Sequence, residues 1–143
     1  MEPYIHRVQY YETDKMGITH HSNYIRWMEE ARTVFLENLG WPYERMEKEG
    51  LVSPVLSVSC KYIEHTTYCD EVSIDVKVIK VSPVRFTVGY EMKNIKTGHT
   101  VLTGTSEHCF LTKDMKLLRF SKAQPELYEI FKEMEEQEGL TES

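Results

Sequence analysis

Hydrophobic and polar positions along the chain follow two periodicities. From Ser22 to Trp41, SNYIRWMEEARTVFLENLGW, the apolar residues Tyr24, Trp27, Met28, Ala31, Val34, Phe35 and Leu39 recur three and four positions apart. That spacing lines one helix face over about four turns and predicts a long amphipathic helix. Ser22 or Asn23 is placed to accept the first free amide bonds, and Gly40 to end the helix. Trp41-Pro42 then opens a short second helix, PYERMEKEG, closed by Gly50. From Leu51 the period becomes two. VLSVSCKYI sets Leu56, Val58, Cys60 and Tyr62 on one side and Val55, Ser57, Ser59, Lys61 and Ile63 on the other. In EVSIDVKVIKV, Val72, Ile74, Val76 and Val78 oppose Ser73, Asp75 and Lys77. VRFTVGYEMKNI and HTVLTGTSEHCFLT read as two further strands around the turn residues Asn94 to Gly98. Residues 4–11, YIHRVQYY, are strand-favouring, and Pro125 begins a last helix with Leu127, Ile130, Phe131 and Met134 on its apolar face.

The predicted order is strand, long helix, short helix, four strands, helix. Hairpin-length links among the later strands require antiparallel pairing, and the long helix must bury its face on that sheet. The class is therefore α+β, with the first strand joining the same sheet. A chain of 143 residues with 41% hydrophobic and 28% charged residues suits one globular domain, 1–143. The acidic C-terminal stretch, from about residue 135, is expected to fray. A net charge of −6 argues against a general nucleic-acid binder, though a local basic patch could still hold a small anion. Three cysteines with no C-x-x-C pair argue against a disulfide framework or zinc finger and favour a reducing cytosol. No apolar run has transmembrane length and MEPYIHRVQY does not read as a signal peptide, so no membrane partner is expected and the location is read as cytoplasmic.

The chemistry concentrates between the first strand and the long helix, in YYETDKMGITHHSNY (10–24). Asp14 in such a loop is ionised at neutral pH. The helix start near Ser22 exposes unpaired N–H groups and partial positive charge, which suits an oxygen that becomes negative during reaction. A carboxylate and an oxyanion site together are what ester or thioester hydrolysis needs, the carboxylate attacking the acyl carbon or deprotonating a water. Gly17 permits a tight turn or close approach of substrate to backbone. T-D-x-x-G is also compatible with an aspartate that only caps its own turn, the commoner use of Asp in loops.

The run YYETDKMGITHHSNYIRWMEEAR resembles the signature of the 4-hydroxybenzoyl-CoA thioesterase-like, hotdog-fold acyl-CoA thioesterases. Tyr11, Thr13, Asp14, Gly17, Ile18, His21, Asn23, Tyr24, Trp27, Glu29, Ala31 and Arg32 fit its pattern without a gap. His20 stands where many relatives carry an aromatic residue, a departure that bears on substrate preference. The resemblance implies a long helix wrapped by a curved antiparallel sheet, an acyl-CoA substrate, and Asp14 as the catalytic carboxylate. It also implies that the backbone N–H near His21 and Ser22 polarises the thioester carbonyl. Subunits of this family pair edge to edge with active sites at the interface, so a homodimer or tetramer is expected, and an exposed sheet edge makes pairing physically sensible.

The remaining candidates carry duller readings. His21 can contact the thioester or simply bond backbone near the helix start. Asn23 is a cap or a loop tie that positions the loop. Glu29 is a reserve carboxylate, although an ion pair with Arg32 three residues on is the simpler role. A metal is not expected, because adjacent histidines on an irregular loop seldom reach one ion and no third ligand is spaced nearby. No cofactor is expected either, coenzyme A being part of the substrate. Its phosphates call for Lys or Arg, with Lys61, Arg85, Arg119 and Lys122 as candidates beside Lys113 and Lys116. No G-x-S-x-G elbow supports a serine nucleophile, and Cys60 reads as buried filler. Two rival readings remain: hydrolysis of acyl groups carried on acyl carrier protein, and a non-catalytic acyl-CoA-binding protein.

Overall fold

A computed structural model describes residues 2–142, with side chains described as far as Gln137. The elements are β1 (Tyr4–Arg7), α1 (Ser22–Asn38), α2 (Tyr43–Lys48), β2 (Val55–Tyr62), β3 (Glu71–Val81), β4 (Arg85–Asn94), β5 (Thr100–Cys109), α3 (Phe120–Ala123) and α4 (Pro125–Glu142). Five strands form one antiparallel sheet in the order β1-β3-β4-β5-β2. This is the α+β hotdog layout that the resemblance implies. The first strand does return to the sheet: β1 pairs antiparallel with β3, Tyr4 opposite Ile74 and Arg7 opposite Glu71.

Both helix ends predicted from glycine are built as predicted. Gly40 adopts a left-handed φ of 88°. Its N–H donates to Glu37 O and that of Trp41 to Leu36 O, so the last carbonyls of α1 are satisfied. Gly50 closes α2 in the same way, with its own N–H on Glu47 O and the Leu51 N–H on Met46 O. Two other expectations change. The first strand stops at Arg7, because a 3-10 turn over Tyr10–Glu12 folds the chain away; Gln9 N–H donates to the Glu12 carboxylate and Glu12 N–H to Gln9 O. The alternation in β2 does not separate a buried face from a wet one. Val55, Leu56, Val58 and Tyr62 are all exposed, as befits a strand at the sheet's edge. Cys60 is accordingly half-buried rather than filler, its thiol 3.6 Å from Met28 Sδ, and burial pushes that thiol up.

The chain divides into two compact units, residues 1–42, 60–76 and 90–104 in the first and 43–59, 77–89 and 105–143 in the second. Strands β2 to β5 each contribute residues to both. In the first unit, α1 buries Tyr24, Trp27, Met28, Ala31 and Phe35, and Val72, Ile74 and Met92 are buried with them. In the second, the rings of Phe86, Phe110, Phe120 and Phe131 pack with centroids 4.9–6.1 Å apart. There α4 is tied to β3: the Val81 N–H donates to Glu135 at 2.6 Å, and Lys132 pairs with the same carboxylate at 2.9 Å. The helix takes in the stretch expected to fray, of which the side chains beyond Gln137 lie outside the described residues. No helix is long and apolar enough to cross a membrane among the described residues.

Candidate active site

All the residues of the candidate site belong to the first unit. Asp14 opens a hairpin. Its N–H donates to Ile18 O at 2.8 Å, Gly17 N–H returns to Asp14 O at 3.0 Å, and Thr13 bridges Thr19. A three-residue hairpin loop needs a left-handed residue before the chain re-enters pairing. Gly17 supplies it with a φ of 79°. Asp14 Oδ1 accepts the Met16 N–H at 2.8 Å, so the turn-capping role is realised. That bond uses one oxygen and fixes the carboxylate's orientation. Oδ2 has no hydrogen bond among the described residues, and the side chain is half-exposed.

The returning arm of the hairpin is sewn to the segment after β2. Thr19 N–H and Oγ1 both reach Thr66 O, Thr19 Oγ1 lies 2.6 Å from Thr66 Oγ1, and Tyr24 OH lies 3.1 Å from that same hydroxyl. Next comes the start of α1, where the cap differs from the expectation. His21 occupies the N-cap position with helical φ and ψ and no side-chain capping bond. Ser22 and Asn23 lie inside the first turn and do not cap it. His20 does that work: its Nδ1 accepts the Ser22 N–H at 3.2 Å and lies 2.9 Å from Ser22 Oγ, and its carbonyl accepts the Asn23 N–H. The Tyr24 N–H reaches His21 O at 3.3 Å. Of the four N–H groups from His21 to Tyr24, only that of His21 lacks an acceptor among the described residues. Asn23 is a loop tie instead, its Nδ2 donating to Glu12 O and His20 O.

A cavity of about 220 Å³ opens at this helix start, lined by Ile18, Thr19, His21, Tyr24, Tyr62, Ile63, Glu64 and His65. Tyr62 meets His21 nearly edge-on, ring centroids 6.2 Å apart, and Tyr24 at 5.7 Å. The hairpin thus joins two of the sequence's candidates covalently: Asp14 at its first corner and His21 at its exit, with Ile18 and Thr19 between them in the cavity wall. His20 stacks on His21 at 4.4 Å. No group of three His, Cys, Asp or Glu side chains converges to hold a cation among the described residues.

Sequence and fold both have known relatives. The family model described as the thioesterase-like superfamily matches residues 8–131. The chain belongs to that superfamily. It is a thioester hydrolase with the hotdog fold. A protein of Aquifex aeolicus (strain VF5) named "Putative esterase" is 36% identical over 130 residues, 91% of this chain and 97% of that protein. The Bacillus subtilis (strain 168) protein named "Putative acyl-CoA thioesterase YneP" is 34% identical over 120 residues, 83% of this chain and 86% of its own. The crystal structure of DHNA-CoA thioesterase from Staphylococcus aureus superposes with a TM-score of 0.90 at 30% identity, covering 98% of this chain and 94% of that one.

Other candidates are placed apart from the hairpin. Glu29 is exposed on α1 and lines a separate open groove with Tyr4, Arg26, Glu30, Thr33 and Val34. Its expected ion pair does not form, because Arg32 lies half-buried and donates to Tyr90 OH at 3.0 Å. Lys61 is exposed on β2 in the first unit; Arg85, Arg119 and Lys122 are exposed in the second.

One polar residue of the region was not singled out by sequence reasoning. Glu12 is only 5% exposed. Its Oε1 accepts the Gln9 N–H and His6 Nε2, each at 2.8 Å, and its Oε2 accepts the Trp27 indole N–H at 2.7 Å. Burial by itself raises a carboxyl, but the bonds from Gln9, His6 and Trp27 outweigh it and hold Glu12 below the usual carboxylate range. Nothing local in YYETD separates a buried glutamate from a solvated one.

Proposed function

We propose that the protein hydrolyses acyl-coenzyme A thioesters, with Asp14 as nucleophile or general base and the His21 N–H as donor to the thioester oxygen. The observation that carries this reading is the His21 N–H: a helix-start amide without an acceptor among the described residues, on a residue that lines the cavity, at the exit of the hairpin that Asp14 opens. In the general-base route, Asp14 takes a proton from water as the water oxygen bonds to the acyl carbon. The carbonyl electron pair moves to oxygen and is held by the His21 N–H. Collapse breaks the C–S bond, and the departing thiolate receives the proton from Asp14, leaving free acid and coenzyme A. In the nucleophilic route Asp14 forms an acyl anhydride and releases the thiolate first, and water then cleaves the anhydride.

The aromatic rings of Tyr24, Tyr62 and His21 wall the cavity and suit contact with a planar acyl group. The DHNA-CoA thioesterase relative is consistent with that fit. Lys61 is proposed to meet a coenzyme A phosphate from the first unit. The exposed apolar residues of β2 fit pairing with a second copy in a dimer or tetramer, and the three free cysteines suit a cytoplasmic location.

Asp14→Asn keeps the shape and removes the charge. Turnover on aromatic and short acyl-CoAs should fall by about 10²–10⁴-fold, the usual range for loss of a general base; near-wild-type rates across the panel would sink the assignment. In single turnover in ¹⁸O-water, label in Asp14 would mark an anhydride opened at the aspartyl carbon.

A further inference from the structure

We propose that Glu12 is the positioning residue of the active-site hairpin, its buried carboxylate and its carbonyl together holding Asp14 and His21 in register. The inference rests on the functional reading above and adds a residue that the reading does not use.

Glu12 acts at both of its ends. Through its main chain it closes the neck of the hairpin: Glu12 O accepts the His20 N–H at 2.8 Å and Asn23 Nδ2 at 2.9 Å. These bonds continue the Thr13–Thr19 bridge by one step. Asp14 lies two residues beyond Glu12 on one arm, and His21 follows His20 on the other. Through its side chain it anchors that neck to the body of the unit. An ionised carboxylate only accepts, so three donors converge on it. They come from the 3-10 turn (Gln9 N–H), from β1 (His6 Nε2) and from α1 (Trp27 Nε1–H). His6 is held in turn, its Nδ1 3.3 Å from Glu30 Oε2, and Tyr4 OH donates to the same oxygen at 2.9 Å. The ring of His6 also stacks on Trp27, centroids 4.4 Å apart.

The purpose of such a clamp follows from the hairpin's exposure. Tyr10, Tyr11 and Met16 are 76–82% exposed, so packing holds little of this segment. The position of Asp14 relative to the helix start therefore depends on directional bonds. Some tie Thr19 to Thr66; those at the neck meet at Glu12. Loss of one leaves a buried donor unpaired and lets the neck shift, and a shift of about 1 Å at reacting groups costs on the order of a hundredfold in rate. Glu12 is buried and does not line the cavity, so its removal should lower kcat and leave KM little changed.

The test compares Glu12→Gln, Trp27→Phe and Asp14→Asn by kcat and KM on one acyl-CoA that the wild type turns over. Each is measured at a temperature where circular dichroism shows the variant fully folded. Glu12→Gln places an amide N–H₂ where a donor already points; Trp27→Phe keeps the buried ring and removes one donor. The expected result is a fall in kcat per folded molecule of about 10–100-fold for Glu12→Gln and a few-fold for Trp27→Phe, with KM within about threefold of wild type. A merely structural glutamate would lower the unfolding midpoint and leave kcat of the folded enzyme unchanged. Wild-type kcat in folded Glu12→Gln, with Asp14→Asn inactive, overturns the inference and leaves the functional reading standing. Wild-type kcat in Asp14→Asn overturns the functional reading. Should Glu12→Gln fail to fold, Trp27→Phe decides: an unchanged kcat there overturns the inference.

Discussion

Two regions are held by different physics, the hairpin of the first unit and the aromatic cluster of the second. The second rests on aromatic packing: Phe86 stacks on Phe110 at 5.2 Å, on His108 at 5.0 Å and against Phe131 at 4.9 Å, all of them at most 4% exposed. Such contacts are strong in sum and weakly directional. The first unit carries the hairpin, and there the decisive contacts are hydrogen bonds at 2.6–2.8 Å at Glu12, Thr19 and Asp14. A packed ring keeps a fold together through small adjustments. A carboxylate and an amide that must meet one reacting carbonyl need angles and distances held, which directional bonds provide.

Phe131→Ala offers the hardest test of that contrast. It removes a fully buried ring and should cost about 3–5 kcal/mol in urea unfolding; a cost under about 1 kcal/mol would show that the aromatic cluster is not what holds the second unit. Gly17→Ala should cost less, about 1–2 kcal/mol, because φ is left-handed there. The added Cβ meets nothing within 4 Å, so the cost is backbone strain alone. The measured loss of kcat in this variant should exceed what so small a change in stability explains.

Titration sharpens the comparison with smaller effects. Glu12 is held below the usual carboxylate range. It therefore contributes stability above the ordinary glutamate value, about 4.3, and that contribution is lost as pH falls through the folded-state value. Urea midpoints measured from pH 5 downward should fall more steeply in the wild type than in Glu12→Gln. Tyr4 goes the other way. Burial, with the bond to Glu30, raises its phenol to about 12 from 10.0. Its contribution is complete below pH 10 and is lost as pH rises towards 12, a slope that Tyr4→Phe should remove.

Much of this was legible along the chain because it is local. Three-and-four spacing marked α1: Tyr24, Trp27, Met28, Ala31 and Phe35 are buried as the spacing selects, Val34 and Leu39 only half-buried. Gly40 and Gly50 marked helix ends because few other residues adopt their backbone angles cheaply. T-D-x-x-G announced a turn, and Asp14 and Gly17 build one. The misreadings share another cause. Capping was assigned to Ser22 or Asn23 by residue type, whereas His20 reaches the free amide from outside the helix. Arg32 was paired with its neighbour Glu29, whereas its partner Tyr90 is 58 residues away. Cys60 reads as buried filler in the sequence but is half-buried in the fold, because its apolar neighbours do not reveal that β2 is an edge strand.

By itself, then, the sequence determined the four later strands, the long helix, where α1 and α2 stop, and that a carboxylate would sit in a turn just before a helix start. Periodicity and backbone preference are properties of short stretches, so they survive without knowledge of the fold. Only the tertiary structure decided which amide at that helix start is left without an acceptor. Only there does Glu12 draw donors from β1, a turn and α1. A hydrogen bond between distant segments depends on where the rest of the chain has gone.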